Sequence, residues 1–337
     1  MRVFVTGGNG FIGSVVVREL VKSGHEVVCL LRSTSRTDAI DSVPFRRAVG
    51  DVRDPASVRT AMTGCDSTIH LAAPGGWSDD DPTMLHDVIE GGTRNVLNAA
   101  SGIPNHRVVV VSSTAAIDAS DTPHVFDETA EFTVRDPSLH YAHAKHRAEL
   151  ATREAFDRGV PTIIVNPAEV YGPGNASLGT AENLIDFAKS MPVLACTGGT
   201  GIVHVDDVAA GIVAALTHGR PGERYILAGE NLTIRQLAEL VLDLIGRRVP
   251  IIMVPNGLAR FISRVAVRLH LPVPFNPHVV AYATRYWFVD NAKARRELGV
   301  TFRGARETIE STVQWLTQVG YLSRERGELA ISSAWRP

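Results

Sequence analysis

The sequence predicts an α/β fold: a doubly wound parallel sheet followed by a smaller, mostly helical C-terminal lobe. Three observations carry that expectation. Short β-branched runs alternate with amphipathic helical patterns through the first half of the chain. Those runs are almost continuously apolar, as strands covered on both faces must be. A glycine-rich turn closes the first of them, at Gly7 to Gly13.

Taken in order, the strand candidates are Val3 to Val5, Val27 to Leu31, Ser67 to Leu71, Val108 to Val111 and Thr162 to Val165, with helical periodicity between them. Beyond Tyr171 the pattern becomes more helical. Asp206 or Asp207 is placed to cap a helix running to about Thr217, and Thr233 with Gln236 forms a capping box for a helix through about Ile245. Pro250, Pro255, Pro272, Pro274 and Pro277 then cut the chain into short pieces.

Composition excludes several classes of function. Of the 337 residues, 45% are hydrophobic and 21% charged, which suits a globular chain with a substantial core. Lys and Arg total 34 against 36 for Asp and Glu, so no global positive field attracts nucleic acid. The three cysteines, Cys29, Cys65 and Cys196, are odd in number and far apart, which predicts reduced packing residues rather than a disulfide framework. Met1-Arg2 leads straight into the apolar run Val3 to Val5, leaving no room for a secretion signal, and a cytoplasmic location is expected. No run of about 18 apolar residues is uninterrupted. Even Leu258 to Leu269 is broken by Arg260, Arg264 and Arg268, so no membrane span is predicted.

The turn Gly7-Gly8-Asn9-Gly10-Phe11-Ile12-Gly13 joins the first strand to a helix from about Phe11 to Val21. Glycines at spacing three and three let the backbone approach a pyrophosphate, whose charge meets the unpaired N–H groups of the helix start. This predicts a Rossmann-type dinucleotide site, with Thr6 bracing the loop. An NAD site usually carries Asp or Glu at the end of the second strand, roughly 20 residues past the glycines, to bond the ribose hydroxyls. Here Leu31 is followed by Arg32, Ser33, Ser35 and Arg36, a chemistry that suits a 2′-phosphate. NADP(H) is therefore the favoured cofactor and NAD(H) the alternative; Arg32 and Arg36 read otherwise as surface cations. Asp51 and Val52 reach the adenine edge, or else Asp51 to Pro55 only caps the next helix. On this reading residues 1–170, with the chain returning near 202–220, form the cofactor domain. Residues 171–320 form mainly a substrate lobe, and 322–337 a polar tail.

Tyr141 and Lys145 lie four apart in a helical pattern, on one face and about 6 Å apart. A tyrosine hydroxyl, with an ordinary pKa of about 10, becomes a useful acid or base at neutral pH when a cation favours its phenolate. Lys145 is placed to be that cation. The strand Val108 to Val111 ends in Ser112-Ser113-Thr114, where such sheets bind ligands, and Ser113 is the preferred holder of a substrate oxygen.

These segments, with His70-Leu71-Ala72-Ala73, Asn166-Pro167, Tyr171 to Gly174, Val203 to Asp207 and Ala292 to Leu298, resemble the extended short-chain dehydrogenase/reductase family over roughly Met1 to Leu316. Arg32 and the Asn166-Pro167 pair look most like its dihydroflavonol-4-reductase branch. The resemblance implies that Tyr141 is the catalytic acid/base, that Lys145 binds the nicotinamide ribose, and that Ser113 polarises the substrate oxygen. It extends the cofactor contacts to Thr6, Gly7, Gly10, Phe11, Ile12, Gly13, Arg32, Arg36, Asp51, Val52, Leu71, Ala72, Ala73, Asn166 and Pro167. One departure stands out: the Asn that family members carry just before Gly92-Thr93 is missing among Ile89, Glu90 and Gly91.

The expected reaction is NADPH-dependent reduction of a ketone or aldehyde, or the reverse oxidation. Epimerases and dehydratases of the family grip a nucleotide sugar with an Arg just before the Val-His-Val-Asp segment, whereas Gly198 to Ile202 carries no cation here. Such an epimerase or dehydratase is the alternative, and a non-catalytic NADP(H)-binding regulator the third. Trp77, Asp118, Glu169 and Tyr171 are the substrate-contact candidates. His140, His143 and His146 recur at spacing three without a carboxylate or Cys to complete a ligand set, so no metal is predicted. His204, between two valines, reads as a packed, hydrogen-bonded residue. The expected partners are a small-molecule substrate and a second copy of the chain, paired through helices near Val88 to Ala100 and Tyr141 to Phe156.

Overall fold

The structure, a computed structural model, describes residues 1–74, 81–269 and 277–322. Its first part alternates strands and helices as the pattern predicts: β1 (Arg2–Thr6), α1 (Phe11–Lys22), β2 (Glu26–Leu31), β3 (Arg46–Val49), α2 (Pro55–Met62) and β4 (Ser67–His70). There follow α3 (Pro82–Leu85), a π-helical turn over His86–Gly91, α4 (Gly92–Ala100), β5 (Arg107–Val111), β6 (Val125–Phe126), α5 (His140–Asp157) and β7 (Thr162–Pro167).

The later part contains β8 (Glu169–Tyr171), α6 (Ala181–Lys189), β9 (Val193–Cys196), β10 (Gly199–His204), α7 (Val205–His218), β11 (Arg224–Leu227), β12 (Glu230–Thr233) and α8 (Ile234–Ile245). It closes with β13 (Ile251–Val254), α9 (Asn256–Leu269), α10 (Pro277–Ala283), β14 (Tyr286–Val289), α11 (Ala292–Leu298) and α12 (Ala305–Gln318).

Seven parallel strands form the main sheet in the order β11-β7-β5-β4-β1-β2-β3, a doubly wound Rossmann-type arrangement. Side chains alternate across it. Val3 and Val5 of β1, with Val109 and Val111 of β5, face a core shared with Val16 and Leu20 of α1, Ile212 of α7 and Leu298 of α11. Phe4, Val108 and Val110 face the opposite core with Met62 of α2, Leu97 of α4 and Ala155 of α5. Both faces are buried, which is why these strands read as unbroken apolar runs.

Two strands of this sheet were not among the candidates. β3 sits at the edge, where Arg46, Arg47 and Val49 leave its apolar signal weak, and β11 joins from beyond residue 171. The capping box at Thr233 and Gln236 forms with both hydrogen bonds, at 3.1 and 2.9 Å. The cap of α7 is a correction: His204 caps it, its Nδ1 accepting from the Asp206 N–H at 3.1 Å, while Asp206 and Asp207 occupy the first turn. His204 is buried and hydrogen-bonded, as read from the sequence.

A second sheet, β12-β10-β14-β6 with β8 beside β10, covers the carboxyl ends of the main strands, and β9 pairs with β13 in a ribbon. The chain leaves the main sheet at Pro167 and enters the second at Glu169. That junction lies against the cleft between the two layers.

Candidate active site

A continuous cleft of about 570 Å3 runs from the glycine loop, past the ends of β5 and β7, into the second layer. At its first end Gly7 adopts φ +71°, and a Cβ there would meet the Ala72 nitrogen at 2.8 Å. At Gly13 a Cβ would lie 2.0 Å from the Gly7 carbonyl oxygen. Glycine is required at both positions by geometry. The N-terminus of α1 has no side-chain cap and no acidic residue in its first turn, so its N–H groups stay open to a phosphate. Gly7, Gly10, Phe11, Ile12, Gly13, Arg32, Leu71 and Ala73 all line this end, and the loop fits a dinucleotide pyrophosphate.

Thr6 is fully buried and acts from behind the loop. Its Oγ1 accepts from the Ala72 N–H at 3.2 Å and lies 2.7 Å from His70 Nδ1, while His70 Nε2 lies 3.1 Å from Thr93 Oγ1, which donates to the Ile89 carbonyl. Both hydroxyls are thus directional, and His70 is the Nε2–H tautomer. Burial, then the nearby Lys145 charge, holds the His70 pKa down at about 3, so it stays neutral. The relay fixes β1, β4 and α4 to one another.

Midway along the cleft Ser113, Tyr141 and Lys145 converge. Ser113 lies beside Tyr141, and Lys145 Nζ donates to the Val111 carbonyl at 2.9 Å while lying 5.7 Å from the Tyr141 ring centre. Ser112 is engaged elsewhere, donating to Glu149 at 2.6 Å. Burial pushes the Tyr141 pKa up to about 12, with the Ser113 hydrogen bond opposing. Burial lowers Lys145 to about 8, with the Glu149 charge opposing. Desolvation is the larger of the two influences on the Tyr141 hydroxyl.

Beneath these residues lies a carboxylate that the sequence reading passed over. Glu149 is 1% exposed; its Oε1 accepts from Ser112 and from Asn166 Nδ2, both at 2.6 Å, and its Oε2 pairs with Arg224 at 3.3 Å. The same Asn166 amide donates to the Ser113 carbonyl at 2.9 Å. Asn166 thus sits outside the cleft lining and supports the Ser113 turn instead, while Pro167 does line the cleft. The signal for Glu149 was present, since Tyr141, Lys145 and Glu149 recur at spacing four. No sequence spacing points to Arg224, which reaches the site only through β11.

Other expected contacts also fall outside the lining. Arg36 is exposed and paired with Asp38 at 2.8 Å. Asp51 is held by Arg53 at 2.7 Å, its pKa lowered chiefly by that hydrogen bond, and Asp54 rather than Asp51 caps α2. Val52 is buried in the core against α4, and Ala72 presents its backbone to Thr6. Asp118 is buried and accepts two hydrogen bonds from Thr133. Tyr171 lies behind Glu169, donating to it at 2.8 Å. Trp77 lies outside the described residues.

At the far end Glu169 does line the cleft, where Asn183 also donates to it at 2.9 Å. Burial raises its pKa, with the bonds from Tyr171, Asn183 and Thr200 opposing. Opposite stand Ile234, Val279, Tyr282 and Trp287, an apolar wall.

This geometry agrees with the comparisons to known proteins. The model of the NAD dependent epimerase/dehydratase family matches residues 3–228. The chain belongs to that family. It is 30% identical over 332 residues to a Synechocystis sp. protein provisionally named dihydroflavonol 4-reductase, covering 96% of each chain. It is also 30% identical to the sterol demethylase protein B of Methylococcus capsulatus, covering 96% of this chain and all of that one. The crystal structure of gox2253 superposes with a TM-score of 0.82 at 31% identity, covering 95% of this chain and 98% of that one. As a member of the NAD dependent epimerase/dehydratase family, this protein is an NAD(P)-dependent oxidoreductase. Its departure from the family pattern at Ile89 has a packing consequence: Ile89 is 1% exposed in a cluster with Leu85, Ala144 and Ala148, so the position is apolar core.

Replacing one partner of a buried ion pair strands the other charge, at a cost of about 3–5 kcal/mol. Glu149→Ala is accordingly expected to lower the unfolding free energy by about 3 kcal/mol in urea titration, and retention of wild-type stability would show that Arg224 needs no counter-charge.

Proposed function

We propose that this protein reduces an uncharged ketone or aldehyde to an alcohol with NADPH, and that the same groups serve the reverse oxidation. The distribution of charge along the cleft carries this reading. Among the described residues that line it, the charged side chains are Arg32 at the glycine-loop end, Lys145 in the middle and Glu169 beyond. A nucleotide sugar brings a diphosphate that needs cations, and the far end offers a carboxyl group and apolar surface in their place. A neutral carbonyl compound meets no such conflict. The named reductase among the relatives supports the same reading.

When bound, the cofactor supplies a hydride to the carbonyl carbon. Gly7, Gly10, Gly13 and the open N–H groups of Phe11 and Ile12 hold its pyrophosphate, and Leu71, Ala73 and Pro167 bound its pocket. Arg32 takes the 2′-phosphate. Arg47, which donates to the Arg32 and Ser33 carbonyls at 2.9 and 3.1 Å, holds the loop that carries Arg32. Ser113 holds the substrate oxygen, and Tyr141 gives it a proton as charge develops there. Lys145 binds the nicotinamide ribose and keeps a positive charge beside the developing phenolate. In this arrangement residues 1–170, with α7 and β11, form the cofactor unit, and the second layer chooses the substrate. A second copy of the chain pairs along the outer face of α4 and α5, where Leu150 is exposed.

Loss of a general acid costs about 10²–10⁴-fold, so Tyr141→Phe is expected to cut kcat to that extent while NADPH affinity, read by fluorescence titration, stays unchanged; equal turnover by the variant would refute the assignment. Removal of a charge-assisted bond to a phosphate costs about 1.5–3 kcal/mol. Arg32→Ala should therefore weaken NADPH binding about tenfold or more and leave NADH nearly unaffected, and an unchanged ratio of the two would assign the site to NAD(H). Because Lys145 is charged below about 8 and neutral above it, kcat for reduction should fall as pH rises through that value. A profile flat from neutrality to about pH 10, the ordinary lysine range, would remove Lys145 from the reaction.

A further inference from the structure

The helix α9 leaves large apolar side chains exposed. A surface helix normally buries its apolar stripe and exposes its polar face. Here the residues that pack into the protein are small, Ala259, Ser263 and Ala266, all buried. Leu258, Phe261, Ile262 and Leu269 recur at helical spacing along the flank of that face and are 50%, 64%, 36% and 59% exposed. The exposure continues into the strand before it, where Ile252 of β13 pairs with Leu194 of β9 and both are exposed.

The charges that α9 itself carries have one sign. α9 contains three arginines and no acidic residue. Arg260 is held by Asp121 and Thr284, but Arg264 and Arg268, one turn apart and exposed, form no ion pair among the described residues. At 100° per residue they border the stripe next to Phe261.

We propose that the outer face of α9 docks this protein on an anionic lipid surface. The apolar side chains enter the boundary between head groups and acyl chains, and Arg264 and Arg268 meet the lipid phosphates. Charge disfavours the other occupants. Residues 323–337 carry three arginines against two glutamates, and residues 270–276 carry no acid at all, so neither brings complementary charge. A second copy docked face to face would oppose arginine with arginine. The position also suits a lipid-borne substrate, since α10 packs against α9 on one side and lines the apolar end of the cleft with Val279, Tyr282 and Ala283.

The full chain is mixed with vesicles of phosphatidylcholine alone or of equal parts phosphatidylcholine and phosphatidylglycerol, and sedimented. Binding to the anionic vesicles, weakened by salt, is expected. The pairs Leu258→Ser with Phe261→Ser, and Arg264→Glu with Arg268→Glu, should each reduce the bound fraction about tenfold, with melting temperature and NADPH affinity unchanged. Those two controls register folding whether or not the reductase reading holds. Wild-type protein left in the supernatant, or variants that bind as well as it does, would overturn the proposal. So would a dimer on gel filtration that Phe261→Ser abolishes without any vesicle binding, which would give the stripe to a second copy.

Discussion

Glu149 accepts from Ser112 and Asn166 through one oxygen and pairs with Arg224 through the other, at almost no exposure to water. The contacts it makes join the ends of β5, β7 and β11 to α5, the helix that carries Tyr141 and Lys145. A carboxylate so deep in the protein is costly unless every lone pair is used, and here the partners come from three different strands. The consequence is that Ser113, whose carbonyl is held by Asn166, cannot shift relative to Tyr141 without breaking this set. The charge also opposes the desolvation of Lys145, one helical turn away. The cluster of Ser113, Tyr141 and Lys145 therefore rests on a buried polar framework rather than on the side chains that face the cleft.

The glycine loop rests on a comparable but uncharged relay. Thr6, His70 and Thr93 are all buried and hand hydrogen bonds from the Ala72 N–H to the Ile89 carbonyl. A charge on His70 would break this pattern, and burial keeps it neutral. The two frameworks meet around Lys145, whose charge adds to the lowering of the His70 pKa. One is ionic and ties α5 to the sheet; the other is neutral and ties the first strand to α4.

The far end of the cleft is built differently. The second layer presents Glu169, bonded to Tyr171 and Asn183, against an apolar wall of Ile234, Tyr282 and Trp287. Burial raises the Glu169 pKa, against the opposing bonds from Tyr171 and Asn183. The exposed apolar flank of α9 is a property of the surface rather than of the core.

By itself the sequence determined the parts governed by local periodicity: the parallel sheet with both faces covered, the glycine turn, the Tyr141 and Lys145 pair, and the capping box at Thr233. Each depends on residues a few positions apart, and helix and strand periods are local properties. Tertiary structure decided the rest. Arg36, Asp51, Val52, Ala72 and Asn166 lie close in sequence to cleft residues, yet their side chains go to other partners, because the direction of a loop side chain depends on what packs against it. Arg224 reaches Glu149 from 75 positions away, and no periodicity links such a pair. Spacing places Lys145 beside Tyr141, but the burial that raises one pKa and lowers the other exists only in the folded chain.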